Sequence, residues 1–259
     1  MKGLYNILTY IAAFHLKIIA QFNAKLMLGV KGRAETFKRL NAVISTRDQV
    51  IWFHCASLGE YEQGLPAFEQ IKSHYPSHKI VLSFFSPSGY EIKKQSPIAD
   101  VVVYLPLDTK FNVSAFLNAI HPELVVFVKY EFWPNYLNEL KRRNIRAILI
   151  SALFRKDQSF FKSYGAWMRK SLHAFEHIFV QNEASKILLN AINYTDVTVS
   201  GDTRFDRVAN QLLMDNELDF IKDFKQDKLC VVAGSTWPED EQLFVEYINA
   251  STEDLKFII

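Results

Sequence analysis

Residues 50–60 read Val-Ile-Trp-Phe-His-Cys-Ala-Ser-Leu-Gly-Glu, and this stretch is the clearest indication of the fold. The run up to Ala56 is apolar apart from His54, which is typical of a strand inside a parallel sheet. Ser57 and Gly59 then form a short turn, and Glu60 opens a helix, where the helix dipole favours a carboxylate. The stretch therefore predicts a strand, a tight turn and a helix in succession.

The same alternation of short apolar runs and helical stretches continues along the chain, and it predicts an α/β fold with a parallel sheet and helices on both faces. Ligands of such sheets bind at the carboxyl ends of the strands. The predicted strands are Val50–Ala56, Lys79–Phe84, Val101–Tyr104, Leu124–Lys129, Arg146–Ser151, His177–Gln181, Val197–Ser200 and Leu229–Ala233. The predicted helices include Glu60–Ser73, Pro134–Arg143 and Glu183–Ala191.

The composition and net charge indicate a globular protein and argue against a nucleic-acid-binding protein. The 259 residues are 49% hydrophobic and 22% charged, as in an ordinary globular chain. The net charge of +2 is too balanced for the dominant basic face of a nucleic-acid-binding protein, so no nucleic-acid partner is expected. Cys55 and Cys230 lie far apart in apolar runs and are predicted to be reduced thiols in the core.

The N-terminal segment differs from the rest, because residues 1–50 carry a net charge of +6 and the remainder −4. The 14 residues Gly3–Leu16 contain no charged side chain, and a membrane-spanning helix needs about 20. The apolar positions repeat every three or four residues, and these positions are Leu4, Ile7, Leu8, Ile11, Phe14, Ile18, Phe22 and Leu26. The basic residues Lys31, Arg33, Lys38 and Arg39 follow. The pattern predicts an amphipathic helix that lies either in an anionic membrane surface or against its own domain.

Several cofactor signatures are absent from the sequence. The nine glycines never fall in a G-x-G spacing, and there is no Walker A lysine loop and no D-x-D pair. His173-Ala-Phe-Glu-His177 matches a metallopeptidase pattern, but it runs directly into the β-like segment that begins at Ile178. No metal or cofactor is therefore predicted.

Two glutamates follow predicted strands directly. Glu60 could take a proton from a bound hydroxyl, or it could simply stabilise the first turn of its helix. Glu131 follows a buried strand, where a charged group needs a partner or a task.

Four neighbouring features could contact a ligand. Trp133 offers a flat face to a sugar, and Gly59 allows close approach to the backbone. The turns Ser86–Gly89 and Gly234–Thr236 offer hydroxyl groups and peptide amides.

Taken together, these motifs resemble the 3-deoxy-D-manno-octulosonic acid (Kdo) transferase family. The resemblance rests on four motifs in the family's order and covers essentially the whole chain. The motifs are H-x-(A/S)-S-(V/L)-G-E at His54–Glu60, E-(F/L)-W-P-N at Glu131–Asn135, G-x-x-(K/R)-F-D at Gly201–Asp206 and a G-S-T loop at Gly234–Thr236.

The resemblance implies the two-domain B-type glycosyltransferase (GT-B) architecture, with Rossmann-like domains. Residues 1–40 would be the membrane-associated helix with its basic segment, and residues 41–210 the acceptor-binding domain. Residues 211–259 would be a linker and the start of a truncated donor-binding domain, because the sequence stops in the apolar run Leu255–Ile259. The chain alone is therefore expected to be inactive.

The resemblance also implies a reaction: transfer of Kdo from CMP-Kdo to the lipid A precursor, lipid IVA, in lipopolysaccharide core biosynthesis. The reaction would take place on the cytoplasmic face of the bacterial inner membrane, with inversion and without a metal. The missing D-x-D fits, because CMP has no pyrophosphate for a metal to bridge. A lipid acceptor also favours the membrane-bound arrangement of the N-terminal helix, peripheral or monotopic, over packing on its own domain.

By match to the family motifs, Glu60 would be the general base and Glu131 a second essential carboxylate. The acceptor side would include Ser57, Gly59, Ser86, Ser88, Gly89, Trp133 and Asn135, Arg204 would bind substrate, and Ser235 and Thr236 would face the donor. Two alternatives remain open: another GT-B glycosyltransferase or sugar-nucleotide epimerase, and a non-catalytic membrane-docking fragment.

Overall fold

The computed structural model describes residues 2–259, apart from the side chain of Asn210. The chain forms two compact units, the first ending at Ala209 and the second comprising Asn210–Ile259.

The first unit is built on a parallel sheet of seven strands, as the alternating pattern predicts. The strands are β1 Val50–Cys55, β2 Lys79–Phe84, β3 Val101–Tyr104, β4 Leu124–Val128, β5 Arg146–Ala152, β6 His177–Val180 and β7 Val197–Val199. Their order across the sheet is β3-β2-β1-β4-β5-β6-β7. The order reverses between β1 and β4, which makes their carboxyl ends the topological switch point where such sheets bind ligands.

Helices cover both faces of this sheet. They are α1 Lys2–Ile19, α2 Ala24–Val43, α3 Leu58–His74, α4 Pro87–Lys93, α5 Lys110–Ile120, α6 Pro134–Arg142, α7 Ala166–Leu172, α8 Glu183–Asn190 and α9 Arg204–Gln211. Successive β1 side chains enter opposite cores, because strand side chains alternate between faces. Trp52 packs with Phe116 and Phe127 on one face, and Phe53 stacks on Phe68 on the other.

The predicted N-terminal helix is interrupted. A short 3-10 turn, Ala20–Phe22, ends it, and Asn23 then takes an extended conformation. The Asn23 side chain accepts the backbone N–H of Leu26 and thereby caps α2, so the prediction of one continuous helix to Leu26 is wrong.

The apolar helical segment at the N-terminus is longer than the 14 uncharged residues Gly3–Leu16. The segment Lys2–Phe22 has 21 residues and is long and apolar enough to cross a membrane by length and composition. The prediction that the uncharged stretch Gly3–Leu16 is too short for a membrane-spanning helix is therefore wrong as an argument against such a helix here. A signal sequence or a buried core helix can have the same length and composition. Only 6% of the apolar stretch in this segment is buried, however.

Arg33 does not face outward as the basic-segment prediction requires. Its Nε donates to the Leu105 carbonyl at 3.0 Å, and Nη2 donates to the Phe85 carbonyl at 2.7 Å. Its guanidinium also lies over the Phe85 ring, 4.6 Å from the centroid. Arg33 thus fixes α2 to the carboxyl ends of β2 and β3, and that prediction is wrong for this residue.

The second unit contains α10 Asp219–Lys225, β8 Cys230–Val232, α11 Pro238–Ala250 and β9 Lys256–Ile258. The apolar run at the end of the sequence does form a strand, and β9 pairs in parallel with β8. No residue of α10 or α11 is buried among those the structure describes. Cys55 is buried as predicted, whereas Cys230 is only half-buried, so its placement in a core is wrong.

Candidate active site

Glu60 lies at the carboxyl end of β1, in the first turn of α3. Its side chain folds back so that Oε2 accepts the backbone N–H of Ala56, and only 9% of the residue is exposed. Burial raises the pKa of Glu60 to about 7, and the negative charge of Glu131 adds to the shift. The amides of Ala56 and Ser57, and then Lys129, oppose this rise in pKa. A carboxyl group with this pKa can accept or release a proton near neutral pH.

Glu131 lies after the neighbouring strand β4. The chain turns sharply there, because Lys129 adopts a left-handed conformation with φ 65°. Glu131 is 6% exposed, and its Oε2 accepts two hydrogen bonds, from Trp133 Nε1 at 2.6 Å and from His54 Nε2 at 2.8 Å. The predicted need for a partner at this position is met by these two side chains.

His54 connects this carboxylate to the interior of the sheet. The register pairs His54 of β1 with Ser83 of β2, and Ser83 Oγ lies 2.8 Å from His54 Nδ1. Trp52 Nε1 donates to the same Ser83 Oγ at 2.7 Å.

His54 Nδ1 also lies 3.1 Å from the Ser83 carbonyl oxygen. The Ser83 hydroxyl accepts from Trp52 and can donate its proton to Nδ1, while Nε2–H donates to Glu131. These contacts form a continuous hydrogen-bond chain from Trp52 through Ser83 and His54 to Glu131. His54 lies in one of the predicted motifs, but its bonds to Ser83 and Glu131 depend on the folded register and were not predicted.

The predicted turn Ser86–Gly89 is the first turn of α4. Ser86 Oγ accepts the backbone N–H of Ser88 at 3.3 Å and lies 3.0 Å from the Ser88 hydroxyl. At Gly89, an added Cβ would lie 2.3 Å from Phe84 Cδ1 and 3.0 Å from the carbonyl carbon of Ser57. The absence of a side chain at Gly89 thus brings the start of α4 against the turn that carries Ser57.

Gly59 is placed differently. An added Cβ at Gly59 would meet nothing within 4 Å. The protein itself leaves this space open beside Glu60, which is compatible with the predicted close approach of a ligand to the backbone.

Asn135 is buried and bonded within the protein. Its Nδ2 donates to the Asp108 carbonyl at 2.6 Å, and its backbone N–H donates to Asp108 Oδ2 at 3.0 Å. Asp108 Oδ1 also accepts the N–H of Tyr136 at 2.9 Å, so this carboxylate caps α6. Tyr5 of α1 donates its hydroxyl to Asp108 Oδ2 at 2.7 Å. Asp108 was not predicted, because only the folded structure brings it to α6.

The Gly201–Asp206 motif follows β7. Gly201 has a φ of 81°, and the Thr203 hydroxyl lies 3.2 Å from Ser151 Oγ at the end of β5. Arg204 is exposed, and its Nε donates to Asp202 Oδ2 at 2.8 Å. The substrate role of Arg204 stays a prediction.

Ser235 and Thr236 belong to the second unit, in the loop between β8 and α11. Ser235 has a φ of 62°, and Thr236 Oγ1 donates to Glu241 Oε1 at 3.0 Å. Their donor-facing role also stays a prediction.

Residues 2–259 contain no group of three or more His, Cys, Asp or Glu side chains that could hold a metal ion. In the metallopeptidase-like pattern, His177 Nε2 is 2.9 Å from Thr198 Oγ1 on the adjacent strand β7. His177 thus has a partner within the sheet.

The chain is similar to known proteins in sequence and in fold. Residues 31–207 match the family model described as 3-deoxy-D-manno-octulosonic-acid transferase (kdotransferase). The Kdo transferase of Rickettsia bellii is 28% identical over 77% of this chain and 48% of its own length. That of Haemophilus influenzae is 26% identical over 76% of this chain and 47% of its own length. The chain thus spans about half the length of these curated relatives.

Among solved structures, the UDP-GlcNAc 2-epimerase of Neisseria meningitidis superposes with a TM-score of 0.58 at 15% identity. The match covers 82% of this chain and 65% of the epimerase. At this identity the likeness shows the fold alone. It confirms the predicted GT-B architecture.

Proposed function

Because this chain belongs to the 3-deoxy-D-manno-octulosonic-acid transferase family, we propose that it serves a glycosyltransferase that moves Kdo from CMP-Kdo to the lipid A precursor. The transfer inverts the anomeric carbon and requires no metal. One observation carries the proposal: at the switch point, burial and the charge of Glu131 raise the pKa of Glu60 to about 7. A base with that pKa suits proton removal from a sugar hydroxyl at cellular pH.

Glu60 acts as the general base in this proposal. The acceptor hydroxyl oxygen attacks the anomeric carbon of Kdo, and its proton moves to the Glu60 carboxylate. The bond between that carbon and the phosphate oxygen of CMP breaks on the opposite face, so CMP leaves with the bonding electron pair. Attack opposite to the leaving group gives inversion.

Glu131 acts as a fixed negative charge beside the base. The hydrogen bonds from His54 and Trp133 hold it in one orientation. Its charge keeps the pKa of Glu60 raised, which makes Glu60 a stronger base. The Trp133 ring and the hydroxyls of Ser57 and Ser86 then contact the acceptor sugar, which approaches through the open space at Gly59.

We further propose that α1 binds the cytoplasmic surface of an anionic membrane. The apolar stripe of α1 points away from the body of the first unit and continues into the 3-10 turn that follows. Its members are Leu4, Ile7, Leu8, Ile11, Phe14 and Ile18, with Phe22 in the turn, and they are 43–86% exposed. The opposite face of α1 carries Tyr5, which is bonded to Asp108. The alternative of a helix that packs its apolar face on its own domain does not account for this orientation.

The activity test uses the protein as its cell produces it, with CMP-Kdo, lipid IVA and a metal chelator. The expected product is lipid IVA enlarged by Kdo, with inverted anomeric configuration by NMR. Absence of transfer with either lipid or de-acylated acceptor would contradict the proposal. Conversion of UDP-GlcNAc by the same sample would favour the epimerase alternative.

The membrane test compares the chain with a variant lacking residues 1–22. This deletion stops before α2, because Arg33 is bonded into the body and must be kept. The chain is expected to float with anionic liposomes, and the deletion variant to stay in solution with an unchanged circular dichroism spectrum of the body. Salt should weaken binding by screening about 1 kcal/mol per basic residue near the surface, but the apolar stripe should keep some binding. An intact chain that ignores liposomes at low salt would contradict this arrangement.

A further inference from the structure

Three adjacent cavities lie beneath α1, between this helix and the body of the first unit. Their volumes are about 420, 180 and 260 Å³. Leu16 lines all three, Ala13 and Leu107 line the first and third, and Phe85 lines the second and third. Because they share these lining residues, the three cavities are neighbours, and we refer to them as the row.

The row reaches the candidate active site. The third cavity is lined by Phe85 and Trp133, whose rings lie 4.7 Å apart, and Trp133 donates to Glu131. The second cavity is lined by Ser86, at the start of α4. Apolar space thus continues from the proposed acceptor sugar position to the underside of the helix that we place at the membrane.

Two polar side chains along the row, Arg33 and Tyr5, are already bonded to the protein. Arg33 donates to Gly29, Leu105 and Phe85, and Tyr5 donates to Asp108. A bound peptide would need partners for its own backbone N–H and C=O groups, and these side chains do not offer free ones. A hydrocarbon chain needs no such partners.

Two lysines add a charge argument. Lys17 lines the first cavity and Lys25 the second, and both are exposed. Ammonium groups at the edge of apolar space match an amphiphile whose head is anionic and whose tail is a hydrocarbon.

We infer that this row binds one acyl chain of the acceptor lipid, with the chain running from Trp133 and Phe85 beneath α1. The inference rests on the proposed function, because it assigns a tail site to that acceptor. The small side chain of Ala13 lines two of the cavities and leaves room there for the chain. The acyl chain would hold the sugar at Glu60 as well as at the membrane.

The test measures binding of alkyl phosphates with 8, 10 and 12 carbons, below their micelle concentrations, by isothermal titration calorimetry. The expected result is saturable binding of one molecule per chain, weakened about fourfold for each methylene removed. Ala13→Phe and Leu107→Phe fill the row from opposite walls, and each should abolish binding. Ile187→Phe adds a ring at an exposed position of α8, away from the row, and should leave binding unchanged.

Circular dichroism checks that both filling variants fold, and either one suffices for the test. Binding that survives in both folded filling variants, or that Ile187→Phe weakens equally, would overturn the inference. Absence of saturable binding would also overturn it. The probes contain no sugar, so these results are independent of Kdo transfer. Conversely, failure of transfer to de-acylated acceptor would count against the proposed function only.

Discussion

The turns after β1 and β4 place two carboxylates side by side by different means. After β1, Glu60 is held by the peptide N–H of Ala56 in the first turn of a helix. After β4, Glu131 is held by two side chains, His54 and Trp133. Backbone amides are present whatever the sequence, whereas the side-chain contacts depend on particular residues in register.

This difference concerns how each buried carboxylate is stabilised. Burial works against the charge of Glu60 and raises its pKa to about 7. Glu131 is equally buried, but it accepts two short hydrogen bonds that compensate for lost water. The two turns thus have unequal roles in the proposed mechanism.

The largest effect is expected from Glu60→Gln. The amide keeps the shape of the side chain but cannot accept the proton, so transfer should fall by about 10²–10⁴-fold while acceptor binding remains. In the unaltered protein, transfer should also fall as the pH drops through about 7, because the base becomes protonated. Both are measured as kcat/KM for transfer across pH, with the protein as its cell produces it.

Glu62→Gln is the matched control for this change. Glu62 lies on the same helix, two residues on, and pairs with Lys93 at 3.0 Å. Its replacement should leave transfer nearly unchanged. Near-normal turnover of Glu60→Gln would remove Glu60 from the mechanism.

The second effect concerns the support of Glu131. His54→Phe leaves a buried carboxylate and the Ser83 hydroxyl each without one partner, which should lower the free energy of unfolding by about 1–3 kcal/mol. His54→Gln keeps a donor for Glu131 and should lose less. Urea unfolding measures both, and equal stability of the two variants would show that the hydrogen-bond chain contributes little.

The third effect compares two glycines that flank Ser57. Gly89→Ala places a methyl group against Phe84 and should lower the free energy of unfolding by about 1–3 kcal/mol. Gly59→Ala meets no protein atom and should not destabilise the fold, but it should weaken acceptor binding if the ligand occupies that space. Thermal unfolding and acceptor titration separate the two, and unchanged acceptor affinity in Gly59→Ala would count against ligand contact there.

Local sequence signals predict much of this architecture. Each predicted strand occurs within one or two residues, because short apolar runs between polar turns can be recognised without knowing their neighbours. Glu60 and Glu131 could be found for the same reason, since a residue after a strand lies at the edge of the sheet.

Contacts between distant segments were not predictable in this way. The bond between His54 and Ser83 depends on the register of β1 with β2, and the cap that Asp108 provides depends on where α6 begins. The break at Asn23 and the inward path of Arg33 likewise follow from packing of α2 on the sheet. Helical periodicity in the sequence indicates which residues share a face of the helix, but it does not indicate what that face contacts.

The most direct test of the central claim is the titration of Glu60 by carboxyl ¹³C NMR, in the unaltered chain and in Glu131→Gln. The expected midpoint for Glu60 is near pH 7, above the ordinary glutamate value of 4.5, and it should fall in the variant because a negative charge has been removed. Spectra of Glu60→Gln assign the resonance. A Glu60 midpoint near 4.5 in the unaltered chain, or one that Glu131→Gln does not lower, would contradict the account.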